Sequence, residues 1–239
     1  MKISSATSVG KIRAVNEDSF LVSQILSGEA TLAVVADGMG GHNAGEVASA
    51  ETVNTLKDFI VKTDIPIKKL LLSAIECANN SVYKMSKNTP TLHGMGTTVT
   101  ACVIKDDKVT AAQVGDSRLY LIRNNEITQI TKDHSLVEML LESGKISQED
   151  AKHHPQKNVI TRAVGTDSFV EADIYEFFLK KNDILLLCSD GLVNMVEDEK
   201  ILSLVTESDD FSSLADILVK EAESAGGHDN ITVVLIKFD

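Results

Sequence analysis

Apolar runs in this chain end repeatedly in acidic residues, and those acids are the side chains best placed to do chemistry. Leu32-Ala33-Val34-Val35-Ala36 leads into Asp37-Gly38-Met39-Gly40-Gly41-His42. The run reads as a buried strand with Asp37 at its end, and the glycines free the backbone to approach a ligand closely. A carboxylate on a rigid strand end, beside a nearly bare backbone, suits a hard cation such as Mg²⁺ or Mn²⁺. The same residues also fit an Asp-Gly hairpin turn. The number of further carboxylates of this kind separates the two readings. Asp190 follows the apolar run 184–188 and precedes Gly191, and Asp116 follows the run 109–114 through Gly115. Asp229, with Asn230, opens the last apolar run. In antiparallel sheets the exit of one strand and the start of its neighbour share an edge. These aspartates can therefore meet at one end of a sheet pair, with Glu17 and Asp18 joining from an earlier turn. Each alone fits a turn or cap. Together, at matching strand ends, they fit a cation site.

The elements that must position them are mixed. Hydrophobic spacing predicts strands at 2–9, 19–26 and 30–36. A helix over 43–62 carries Val53, Leu56, Phe59 and Ile60 on one face, and a second begins at Pro66 with a stripe of Leu71, Ala74, Ile75, Ala78, Val82 and Met85. Strands follow at 97–104, 108–114, 117–123 and 126–130, joined by hairpin-like connections such as Asp106-Asp107 and Asn124-Asn125. A helix over 134–143 and a polar excursion over 145–166 precede strands at 170–179 and 184–188. Helices at 197–206 and 210–224 lead to a last strand, 231–238, so uniformly apolar that both its faces must be buried. This order predicts an α+β fold: two packed antiparallel sheets flanked by helix pairs, in one domain spanning 1–239.

Composition narrows the function. With 239 residues, 43% hydrophobic and 24% charged, the chain has the make-up of a globular protein with a sizeable core. A net charge of -12 argues against nucleic acid or an anionic membrane as partner, and clustered acids are costly unless cations bind them. The start lacks the apolar core of a signal peptide, and no apolar run reaches membrane-span length. Cys77, Cys102 and Cys188, far apart in apolar settings, predict reduced packing thiols in a cytoplasmic protein.

Several short motifs occur in a telling order: Arg13-x-x-Asn16-Glu17-Asp18, Ala36-Asp37-Gly38-Met39-Gly40-Gly41-His42, Met95-Gly96-Thr97-Thr98 and Val114-Gly115-Asp116-Ser117-Arg118. Ile160-Thr161-Arg162-Ala163-Val164-Gly165, Ser189-Asp190-Gly191 and Gly227-His228-Asp229-Asn230 complete the set. In this order they resemble the bacterial members of the metal-dependent protein phosphatases, the type 2C serine/threonine phosphatases, over nearly the whole chain. The resemblance implies an α-β-β-α sandwich with a dinuclear metal site at one edge. It implies two Mn²⁺ or Mg²⁺ ions bridged by Asp37, with the Gly38 carbonyl, Asp190 and Asp229 as ligands and Glu17 and Asp18 holding metal-bound waters. Two such ions ~3.5–4 Å apart make a water nucleophile available near neutral pH. The resemblance assigns Arg13 to substrate phosphate, whose oxygens its planar fork matches, and Asp116 with Asp190 to a third, weaker metal. It assigns 132–166 to a flap beside the site. It also implies phosphorylated proteins as substrates and a Ser/Thr kinase as counterpart; a monomer is expected.

One position departs from the pattern. Many eukaryotic members carry His directly after the Asp-Gly, proposed as general acid; here Met39 stands there and His42 is the nearest histidine. His42 then either protonates the leaving oxygen or holds the loop by a hydrogen bond. Other phosphate chemistries lack their residues. Cys77, Cys102 and Cys188 are followed six positions on by Tyr83, Lys108 and Asn194 rather than Arg, and there is no P-loop or Asp-x-Asp-x-Thr/Val motif. A catalytically inactive binding module of the same fold is the remaining alternative, against which the complete set of acids and Arg13 argues.

Overall fold

The structure is a computed structural model that describes residues 1–40, 44–60, 65–152 and 154–239. Its first half runs β1 (Lys2–Ser8), β2 (Asp18–Ile25), β3 (Ala30–Met39), α1 (Ala44–Ile60), α2 (Ile67–Asn88), β4 (Gly96–Thr97), β5 (Val99–Lys105) and β6 (Lys108–Val114). β7 (Arg118–Arg123), β8 (Glu126–Gln129), α3 (Leu136–Glu142), α4 (Gln148–Lys152), β9 (Asp173–Phe178) and β10 (Ile184–Cys188) follow. α5 (Asp190–Val193), α6 (Asp198–Glu207), α7 (Leu214–Ser224) and β11 (Ile231–Lys237) complete the chain. One sheet has the order β1-β11-β10-β7-β8 and the other β2-β3-β5-β6-β9, with β4 paired to β3. Neighbouring strands are antiparallel in both.

Strand alternation explains why the central strands are apolar at every position. In β3, Leu32, Val34 and Ala36 pack toward the core that includes α1 and α2, whereas Ala33 and Val35 pack into the core between the sheets. In β11, Ile231, Val233 and Leu235 join the core that includes α6 and α7, whereas Val234 and Ile236 face the other sheet. Both faces are thus buried, and the α-β-β-α layering predicted from the element order is present. Tight turns fix the register: Asn124 and Asn125 take φ of 52° and 61° in the β7–β8 hairpin, values that Asn tolerates better than most residues.

Three local features differ from the sequence reading. Cys77 is exposed, not a packing residue, because α2 turns Ala74, Ile75, Ala78 and Val82 inward and leaves position 77 on the outer face. The strand expected over 170–179 begins only at Asp173, since the Glu171 carbonyl accepts a hydrogen bond from Arg162 (3.0 Å). Within 132–166, the five-residue α4 is too short to show a helical period. The excursion is tied to the body at α2, where the buried Asn79 accepts from the Gly165 N–H (2.7 Å) and donates to the Asp167 carbonyl (3.0 Å).

Candidate active site and metal centre

The strand ends bring most of the expected residues together. A cavity of about 220 Å³ at one sheet edge is lined by Arg13, Glu17, Asp37, Gly38, Asp116, Asp190 and Asp229, with Asn158 and Ile160 of the excursion. Asp18 lies just behind it, cross-strand from Asp37, with its Oδ2 accepting from the Ser189 hydroxyl (2.7 Å). His42 lies outside the described residues.

Each acid is held by polar groups that the apolar pattern does not reveal. The Asp37 carbonyl accepts from the Thr98 N–H and the Thr97 hydroxyl (both 2.8 Å), and the Asp37 N–H donates to Thr98 Oγ1 (2.9 Å). Thr98 Oγ1 in turn shares a 2.7 Å hydrogen bond with the Ser117 hydroxyl, next to Asp116. The Thr97-Thr98 pair therefore fixes the backbone of one acid and braces the loop of another. Asp190 opens α5, where Asn194 donates to its Oδ2 (2.9 Å). Close packing at Gly38 requires glycine, since a Cβ there would fall 2.1 Å from the Gly45 carbonyl oxygen.

Asn230 organises the first turn. Its Oδ1 accepts from the Glu17 N–H (2.8 Å), and its Nδ2 donates to the carbonyls of Val9 and Val15 (both 3.0 Å). Asn230→Leu strands these groups, at about 1–3 kcal/mol for a buried unsatisfied group. At about 2–4 °C per kcal/mol, the melting temperature should fall by several degrees. Thermal unfolding checks this, and an unchanged midpoint would show that water replaces the amide.

Burial and mutual repulsion dominate the electrostatics. Burial holds the Asp37 carboxyl well above the usual range, reinforced by Asp18, Asp190, Asp116 and Asp229. Burial, then Asp190 and Asp229, pushes Asp18 up to about 7. Asp116 reaches about 8, through burial and then Asp190 and Asp133. Asp190 is raised by burial and then by Asp229. Arg13 supplies partial compensation, its Nη2 donating to Asp229 Oδ2 at 2.8 Å.

The donor set fits hard divalent cations. It is all oxygen, it is under like-charge stress, and Asp18 Oδ1 and Asp190 Oδ1 are buried with no hydrogen-bond partner among the described residues. Among the described residues, no three His, Cys, Asp or Glu side chains are grouped to enclose one ion. An open acidic edge of this kind suits Mg²⁺-like ions, which bind through one or two carboxylates and keep several waters.

Thr97, Thr98 and Asn230 stand in the sequence motifs with no role of their own, and Asn158 stands in none. Thr and Asn at strand ends are ready hydrogen-bond partners, but nothing local in the sequence names the groups that these three serve. Asn158 gave no signal, since its place at the cavity depends on how the excursion folds back.

A two-sheet, helix-flanked sandwich with an acid-lined cavity at its edge defines the class of protein. The protein phosphatase 2C family pattern matches residues 8–230. The chain is 41% identical over 238 residues to the serine/threonine phosphatase stp of Listeria monocytogenes serotype 4b, covering 98% of this chain and 94% of that protein. It superposes on the Streptococcus agalactiae serine/threonine phosphatase with a TM-score of 0.93 and 37% identity, covering 98% of both chains. It also superposes on the catalytic domain of the serine/threonine protein phosphatase PstP in complex with 2 manganese ions, with a TM-score of 0.88 and 34% identity, covering 100% of this chain and 98% of that one. The chain belongs to the protein phosphatase 2C family.

Proposed function

We propose that this protein is a metal-dependent protein serine/threonine phosphatase that hydrolyses phosphoserine and phosphothreonine monoesters. The convergence of Asp37, Asp116, Asp190 and Asp229 with Arg13 around one cavity carries this reading. In it, Asp37, the Gly38 carbonyl, Asp190 and Asp229 hold two Mn²⁺ or Mg²⁺ ions, Glu17 and Asp18 hold the surrounding waters, and Asp116 with Asp190 takes a third, weaker ion. PstP's two manganese ions support manganese here. When bound, such ions supply Lewis-acid charge and lower the pKa of water toward neutrality.

The chain's own residues do the rest. Thr97 and Thr98 fix Asp37, so the acid does not reorganise as charge builds. Arg13 stands half exposed at the cavity, and its guanidinium is free to exchange part of its hold on Asp229 for phosphate oxygens. His42 is the proposed proton donor to the leaving oxygen.

Residues 1–239 act as one catalytic unit in this reading, with 132–166 as its flap. A second cavity, of about 390 Å³, lies between the excursion and α5–α6 and shares Asp116 and Asp190 with the first. That continuity supports a substrate chain lying beneath the flap. Substrates would be phosphorylated proteins, countering a Ser/Thr kinase, and the enzyme would act as a cytoplasmic monomer. Among the described residues, no helix is long and apolar enough to cross a membrane.

Arg13 separates binding from chemistry. If it grips phosphate in ground and transition states alike, Arg13→Ala raises KM with kcat little changed. Lysine, which keeps the charge and loses the fork, restores KM only in part. Steady-state kinetics on a phosphothreonine peptide decides this, and an unchanged KM with a collapsed kcat would contradict the assignment.

A further inference from the structure

His134 belongs to none of the roles above, yet it touches both the excursion and the loop that carries Asp116. It is 7% exposed. Its N–H donates to the Gly115 carbonyl (2.9 Å), and its Nδ1 accepts from the Gly115 N–H (3.1 Å). This reciprocal pair clamps the residue immediately before Asp116. Gly115 itself must be glycine, because its φ is +100° and a Cβ on it would fall 2.5 Å from Thr98 Cγ2.

The same histidine, on the outgoing limb of segment 132–166, ties that limb to the returning one. Its carbonyl accepts from the Thr161 N–H (2.8 Å) on the returning limb, and the neighbouring Leu136 N–H donates to the Val159 carbonyl (2.8 Å). The far side of the ring is fixed as well. Because Nδ1 accepts from Gly115, the neutral ring carries its proton on Nε2, which lies 3.2 Å from Asp173 Oδ2 and 3.1 Å from Arg162 Nη1. Arg162 Nη1 donates to the other oxygen of that carboxylate (2.9 Å).

We propose that His134 is a positioning residue that pins both limbs of the excursion to the Asp116 loop, so that displacing the excursion displaces Asp116. Through Ser117 and Thr98 the hydrogen bonds continue to the backbone of Asp37. The excursion is thereby coupled to the acid edge by a connected set of bonds, each with named partners. Only the turnover part of the test rests on the phosphatase reading.

Two substitutions dissect the pin, because amide side chains mimic one ring nitrogen each. In His134→Asn the Oδ1 stands near Nδ1 and keeps an acceptor for the Gly115 N–H; in His134→Gln the amide reaches toward Asp173 and leaves the Gly115 N–H without its acceptor, so that only the backbone bond to the Gly115 carbonyl remains. Hydrogen–deuterium exchange of segments 113–117 and 158–163 is measured on each full-length protein, with circular dichroism confirming the fold. Asn should retain slow exchange at 113–117, whereas Gln should lose protection in both segments together. Turnover of a phosphothreonine peptide should follow: within a few-fold of the parent for Asn, and lowered through kcat by roughly 10–100-fold for Gln, the scale of a misplaced site group. If Gln matches or exceeds Asn, or if 113–117 stays protected while 158–163 opens, His134 does not transmit between them. A parent that releases no phosphate would refute the phosphatase reading, while the exchange data would still decide this one. If Gln alone fails to fold, fast exchange at 113–117 in Asn overturns the proposal and slow exchange upholds it.

Discussion

Asp37→Asn should reduce turnover of a phosphoserine peptide by about 10²–10⁴-fold, since a bound cation contributes several kcal/mol to transition-state charge and each 1.36 kcal/mol is tenfold in rate. The same change should stabilise the metal-free fold. Asp37 is buried among Asp18, Asp190, Asp116 and Asp229, which all oppose its ionisation. Its backbone is clamped by Thr97 and Thr98, independently of the side-chain charge. Asn keeps the shape and avoids the cost of protonating or burying an ionised acid there, so melting in chelator near neutral pH should move up while activity falls. Kinetics in Mn²⁺ and melting in chelator measure the two halves. Near-parental turnover would exclude Asp37 from the metal site, and a lower midpoint would show that its charge supports the fold.

The second large effect is a pH dependence that reverses its practical meaning when metal is present. Asp18 and Asp116 have folded-state values pushed up to about 7 and about 8, against an ordinary value of 3.8. Asp37 and Asp190 are raised in the same direction. A carboxyl raised on folding binds its proton more tightly in the native state, so its stabilising contribution is complete below about pH 4. That contribution is lost as pH rises toward 7 and 8. The chelated protein should therefore become less stable across this window. Divalent cations favour the ionised carboxylates, so they should stabilise more at pH 8 than at pH 5 and should release protons on binding near pH 6. At 100 times its dissociation constant a ligand adds about 2.7 kcal/mol, roughly 5–10 °C for a chain of this size. Melting curves against pH with Mn²⁺ and with chelator test this. Equal metal-induced shifts at both pH values would refute it.

How much of this could be read from the sequence depended on the distance over which each residue acts. β3 and β11 were legible because burial on both faces leaves an unbroken apolar run. Asp37, Asp190 and Asp229 were legible because each adjoins such a run, and Asp116 because it follows β6 through one glycine. The polar supports were not legible. Asn230 acts on Glu17 across 213 residues of chain, and Thr98 acts on Asp37 across 61. Such partners are set by topology, and local propensity carries no trace of them. Cys77 was misplaced because an apolar setting within a helix does not by itself say which face a residue takes. His134 opens the helix expected over 134–143, but its reciprocal bond with Gly115 needs segment 132–166 to fold back on the β6–β7 turn.

In the proposed function the acid edge is a divalent-cation site at which phosphate esters of serine and threonine are hydrolysed. Orthophosphate release from a phosphothreonine peptide, followed as Mn²⁺ is titrated into chelator-treated protein, tests it most directly. No release is expected in chelator, with saturable recovery on adding Mn²⁺ and no recovery in Asp190→Asn at the same metal concentrations. Release that persists in chelator, or full recovery in Asp190→Asn, would contradict it.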